Sequence, residues 1–134
     1  MTERERAWVP VTVPADVPAP AGAYSPAVVA GNLVFVSGQV PVDPHTRELV
    51  GRDIATQTRA VLRNVERVLG YAGASLDDVV SVTAYLADIG GWDEFNAVYR
   101  DVFRPPYPTR TTLGAGLHGF LVEISAVAVK QGGP

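Results

Sequence analysis

The chain has 134 residues, no cysteine and a formal net charge of −3 at neutral pH. That length suits one domain able to bury about two-thirds of its unfolded surface, and the missing thiols exclude disulfide staples, thiolate zinc sites and cysteine nucleophiles. The acidic balance gives no general attraction to polyanions, so Arg59, Arg63 and Arg67 read as a solvated helix face eased by nearby acids such as Glu66, not as a phosphate-binding stripe.

In chain order, the N-terminal run MTERERAWVPV carries acids and soon reaches Pro10, unlike an export signal. Apolar runs such as Leu33 to Val36 are far too short to cross a membrane, so a soluble cytoplasmic protein without a membrane partner is expected. Residues 1–22, punctuated by Pro10, Pro14, Pro18 and Pro20, form a Pro-rich N-terminal arm that either adds an edge strand or stays loose. The single domain is assigned to residues 23–134. Val28 to Gly38 reads as a hairpin turning at Gly31-Asn32, and the turn formers from Pro41 to Arg47 make a loop.

Helical spacing of Ile54, Thr58, Val61, Val65, Val68, Leu69 and Ala72 predicts a helix over Asp53 to Ala72, capped by Asp53 and ended by Gly73. Val79 to Leu86 alternates at period two, with Val80, Val82, Ala84 and Leu86 on its apolar face, and is a strand. The segment WDEFNAVYRDVF is a second helix that Pro105-Pro106 cannot continue. PTRTTLGA and FLVEISAVAV close the chain as strands, giving an α+β domain of order β-β-α-β-α-β-β.

Glu123 interrupts a strand that is apolar on both faces, so its carboxylate loses hydration and needs a donor or cation, or else binds its proton more tightly. It is read either as a site carboxylate or as a structural one paired inside the fold or across a subunit contact. Arg110 lies between small hydroxyl residues, and its planar fork suits a bidentate grip on a carboxylate, although an ordinary salt-bridging arginine fits its surroundings equally well. His45 and His118 lie in loops without partners at ligand spacing and read as incidental; no metal site is expected. No serine-nucleophile elbow, phosphate loop or dinucleotide fingerprint is present.

AYSPA from Ala23, LVFVSGQVP from Leu33, the Asp53 to Gly73 helix, FNAVY from Phe95, PTRTT from Pro108 and VEISAVA from Val122, in this order, resemble the RidA (YjgF) family of reactive-intermediate deaminases. The likeness runs from about Ala21 to Lys130. It implies a chorismate-mutase-like fold, a mostly antiparallel mixed sheet with two long helices on one face, and a homotrimer with clefts between subunits. It also implies cofactor-free hydrolysis of small carboxylated enamines and imines, such as 2-aminoacrylate, to 2-oxo acids and ammonia. Carried over by motif, Arg110 binds the substrate carboxylate and Glu123 positions or activates water, while Tyr24, Ser37, Gly38 and Asn96 line the cleft. Thr112 stands where many members have cysteine, at a position whose backbone faces the imine nitrogen.

The loop GAGLHGF and Pro26 depart from the common pattern, which leaves room for a pathway-dedicated deaminase of the aminomuconate type or for an idle binder of small carboxylates. Some relatives are described as ribonucleases. An acidic chain whose only lysine is Lys130 does not advertise an RNA surface, and no nucleic-acid partner is expected.

Overall fold

The computed structural model describes residues 5–131; the outer ends of the expected arm and domain, 1–4 and 132–134, lie outside the described residues. The arm takes the edge-strand option. β1 (Trp8–Pro10) pairs antiparallel with β2 (Ala27–Ala30), and Pro10 is tolerated because it sits on an edge. Gly31, at φ +61°, turns the chain into β3 (Leu33–Gln39), with Ala30 opposite Leu33.

α1 (Ile54–Tyr71) begins where the Asp53 carboxylate accepts the Thr56 N–H at 3.0 Å. It ends at Ala72 and is followed by Gly73 at φ +81°. β4 (Val79–Leu86), α2 (Trp92–Val102), β5 (Thr109–Gly114) and β6 (Val122–Val129) complete the fold. The sheet order is β1-β2-β3-β6-β4-β5, antiparallel except for the β4–β5 pair. This is the expected mixed sheet, with β1 added before the expected series.

Val61, Leu62, Val65, Val68 and Leu69 of α1 are all but inaccessible and pack on Val34, Val82, Ala84, Val122, Ile124 and Ala128. Each such side chain contributes roughly 1.5–3 kcal/mol by leaving water, which holds the helices to one face of the sheet. β6 alternates between buried Val122, Ile124, Ala126 and Ala128 and half-buried Glu123, Ser125, Val127 and Val129. Within one chain, therefore, only one face of this strand is covered, whereas its composition predicts cover on both.

A second correction concerns β4. Its register against β6 shifts between Val79 and Ser81, so Val79 takes the core position at 6% exposure and Val80, expected on the apolar face, is 44% exposed. One extra residue reverses the parity of the strand before it.

Buried polar groups on α1 fix the loops around the sheet. Asn64 Nδ2 donates to the Val40 carbonyl at 3.0 Å and to that of Val42 at 3.2 Å. The Gln57 side-chain oxygen accepts the Leu121 N–H at 2.7 Å, and its amide donates to the Gly51 carbonyl at 3.2 Å. These bonds tie down the chain just after β3 and just before β6. On the outer face Arg59 and Arg63 are exposed, and Arg59 pairs with Asp101 of α2 at 2.9 Å.

Candidate functional site

Between Val36 and Gln39 the register of β3 against β6 shifts, so Ser37 and Gly38 occupy a bulge beside Glu123. The Ser37 hydroxyl donates to the Ser25 carbonyl at 2.6 Å and its N–H donates to the Pro26 carbonyl at 2.9 Å, holding the bulge to the segment that carries Tyr24. Gly38 is there for space: a Cβ would stand 2.9 Å from Glu123 Cδ and 3.1 Å from Cγ. The Glu123 carboxyl thus lies across a bare stretch of backbone.

Tyr24, Ser37, Gly38 and Glu123 line one recess, together with His118 and Phe120. Glu123 has no hydrogen-bond or ion-pair partner among the described residues, and burial pushes its carboxyl above its ordinary proton affinity. Of the two readings of this residue, the paired structural carboxylate finds no partner within the described chain. His118, read from sequence as incidental, lines the recess; a glycine-flanked loop residue gives no periodic signal that would have found it.

Arg110 lies on β5 opposite Val82, on the face that meets the helices. Its guanidinium carbon is 4.5 Å from the centre of the Tyr99 ring and 5.4 Å from those of Phe95 and Trp92, a three-sided aromatic seat of the kind that holds a cation by its ring faces. No carboxylate within the described chain pairs with it. Tyr99 is 4% exposed and its hydroxyl has no partner among the described residues. Burial pushes this phenol up to about 12, against a smaller opposing pull from Arg110, so it stays protonated at neutral pH. Asn96, Tyr99, Arg100, Tyr107, Pro108 and Arg110 line the second recess. Thr112 does not line it; two residues beyond Arg110 on β5, its hydroxyl is buried without a partner among the described residues.

The expected site residues therefore fall into two groups, Tyr24, Ser37, Gly38 and Glu123 in one and Asn96 and Arg110 in the other, with Thr112 beside the second. Glu123 and Arg110 stand on opposite faces of the sheet, two strands apart. Sequence reading missed the seat made by Trp92, Phe95 and Tyr99, although their helical spacing marks one flank of α2. Among the described residues no group of three His, Cys, Asp or Glu side chains gathers to hold a metal, and no helix is long and apolar enough to cross a membrane.

A two-helix α+β domain with an unpaired carboxylate in one recess and an aromatic-seated arginine in another is the class that fold and site define. Residues 14–130 match the family described as endoribonuclease L-PSP. A RutC family protein of Pyrococcus horikoshii is 42% identical over 118 residues, 87% of this chain and 94% of that protein. The structure of YyfA from Yersinia pestis, of the conserved Rid protein family, superposes with a TM-score of 0.86 at 35% identity, covering 92% of this chain and 99% of that one. Escherichia coli TdcF with bound serine superposes with a TM-score of 0.84 at 32% identity, covering 90% and 98%. The chain belongs to this endoribonuclease L-PSP family, which takes in the Rid, YjgF and RutC proteins, as its ordered motifs indicate.

Proposed function

We propose that the chain hydrolyses small carboxylated enamines and imines to 2-oxo acids and ammonia, without a cofactor, in clefts that neighbouring copies complete within a homotrimer. The observation that carries this reading is the pair of unsatisfied charges: a guanidinium seated on three rings and a desolvated carboxylate lying on Gly38. Strands two apart are about 10 Å apart, and these two groups also face opposite ways, so one small substrate meets both only when a second copy supplies one of them. The uncovered sheet face supports self-association: it carries half-buried Leu33, Val127 and Val129 and Phe35 at 42% exposure.

In this reading Arg110 binds the substrate carboxylate through charge-assisted hydrogen bonds worth about 1.5–3 kcal/mol. A proton added to the enamine carbon gives the iminium. Water then adds to its C2 as Glu123 takes the water's proton, giving a carbinolamine. Glu123 returns that proton to the nitrogen, the C–N bond breaks to release ammonia, and the hydroxyl gives up its proton to water as the C–O bond closes to a carbonyl. General-base help of roughly 10²–10⁴-fold suffices for an already electrophilic carbon. Tyr24, Ser37, Gly38 and Asn96 shape the cleft, and the Thr112 backbone faces the nitrogen. TdcF binds serine, which carries an amino group and a carboxylate on one carbon, as a small imine acid carries its nitrogen and carboxylate. The reading places the protein in the cytoplasm, where amino-acid breakdown releases such intermediates.

RNA cleavage, the activity in the family's description, calls for a strongly basic surface to meet phosphates, whereas this chain has a net charge of −3 and a single lysine. The deciding experiment generates 2-aminoacrylate with a β-eliminating enzyme and follows the competition between enzymatic pyruvate release and semicarbazide trapping. Acceleration by the wild type, reduced at least tenfold in Arg110→Ala, is expected; no acceleration beyond the spontaneous rate would remove the proposal.

A further inference from the structure

The recess around Arg110 contains a second cation. Asn96, Tyr99 and Arg100 are spaced three and four residues apart on α2, which puts them on one side of the helix, and Arg100 lines the same recess as Arg110. Its neighbours at three- and four-residue spacing are Asn96, Ala97, Phe103 and Arg104, so no acid on the helix neutralises it. Asp101, its neighbour in sequence, is already engaged with Arg59, and Asp77 with Arg104. Among the described residues Arg100 itself has no ion-pair partner.

We infer that this recess binds two acidic groups at once, so that the preferred substrates are dicarboxylic imines, with Arg110 on the carboxylate next to the reacting carbon and Arg100 on the distal one. The inference rests on the deaminase reading and narrows it. One guanidinium fork matches one carboxylate, so a monocarboxylic imine leaves Arg100 unneutralised beside the ligand, while a four- or five-carbon diacid offers it a partner. The recess measures ≈350 Å³, several times what a three-carbon acid fills, and Asn96 and Tyr107 add neutral polar lining to it. A purely structural Arg100, placed in the last turn of α2 to complement the helix dipole, would not distinguish one substrate from another.

The test compares two imines made in situ by amino-acid oxidases, one from aspartate and one from alanine, in wild type and Arg100→Ala. The expected result is a kcat/KM preference for the aspartate-derived imine that falls by about tenfold in the variant and shrinks as salt rises, carried mainly by KM. An identical substrate ratio in both proteins would overturn the inference, whatever happens to the absolute rates. If neither imine is turned over, the deaminase reading fails by itself, and calorimetric binding of 2-oxoglutarate against 2-oxobutyrate decides the subsite. Tighter diacid binding that Arg100→Ala abolishes would support it, and equal binding of the two acids would overturn it.

Discussion

Gly38→Ala separates catalysis from stability. The backbone at Gly38 lies outside the left-handed region, so alanine is permitted there, yet its methyl would stand 2.9 Å from Glu123 Cδ. What must yield is the end of a flexible side chain. Turning Glu123 aside costs about 0.5–1.5 kcal/mol of rotamer strain, and replacing glycine returns about 0.4–1 kcal/mol by narrowing the unfolded ensemble. The net change in stability is then within about 1 kcal/mol, a Tm shift of roughly 3–5 °C or less for a chain of this size. Displacing the carboxylate by about 1 Å lowers turnover by about 10²-fold, because water is no longer held at the reacting carbon. KM changes less, since the Arg110 grip is untouched. Steady-state kinetics with in situ 2-aminoacrylate and a thermal melt measure both quantities on one sample. In a Glu123→Gln background the same alanine adds little further loss, since both changes act through one group. A Gly38→Ala protein that melts near wild type and keeps full turnover would refute the placement of Glu123 in the reaction.

Glu123 also sets a pH dependence. Burial raises its folded pKa above the ordinary carboxylate value of about 4.3, so the acid limb of kcat/KM falls at a higher pH than for an exposed glutamate, and Glu123→Gln is slower and lacks that limb. A raised folded pKa means that this group's contribution to stability is complete below the unfolded value and lost as pH rises through the folded one. Denaturant titrations at pH 4 and pH 7 are therefore expected to show Glu123→Gln gaining on the wild type at the higher pH; parallel curves would contradict the desolvation. Gln57→Leu strands the Leu121 N–H and the Gly51 carbonyl. It is expected to cost about 1–3 kcal/mol and to lower Tm by roughly 3–15 °C, with some loss of turnover because Leu121 leads into β6; an unchanged melt would show that these groups find other partners.

Local patterns carried most of the elements. α1 follows from one apolar flank with Asp53 and Gly73 at its ends, and the limits of β4 and the stop before Pro105 are equally local. Glu123 stood out because a carboxylate in an apolar strand is costly wherever the strand lies. Arg110 did not stand out by itself, since nothing in Thr-Arg-Thr marks an arginine that has no acid beside it. Its isolation from carboxylates and its seat on Trp92, Phe95 and Tyr99 arise only when the parallel β4–β5 pairing turns it toward α2. Period two tells which residues share a face; it does not tell which face meets the helices. The bulges that expose Val80 and bring Ser37 and Gly38 to Glu123 are set by cross-strand register, a property of two distant segments that neither encodes alone. For the same reason the division of the site into two recesses on opposite faces of the sheet belongs to the tertiary structure: hydrophobic spacing is local, while strand order and register are decided when the whole core packs.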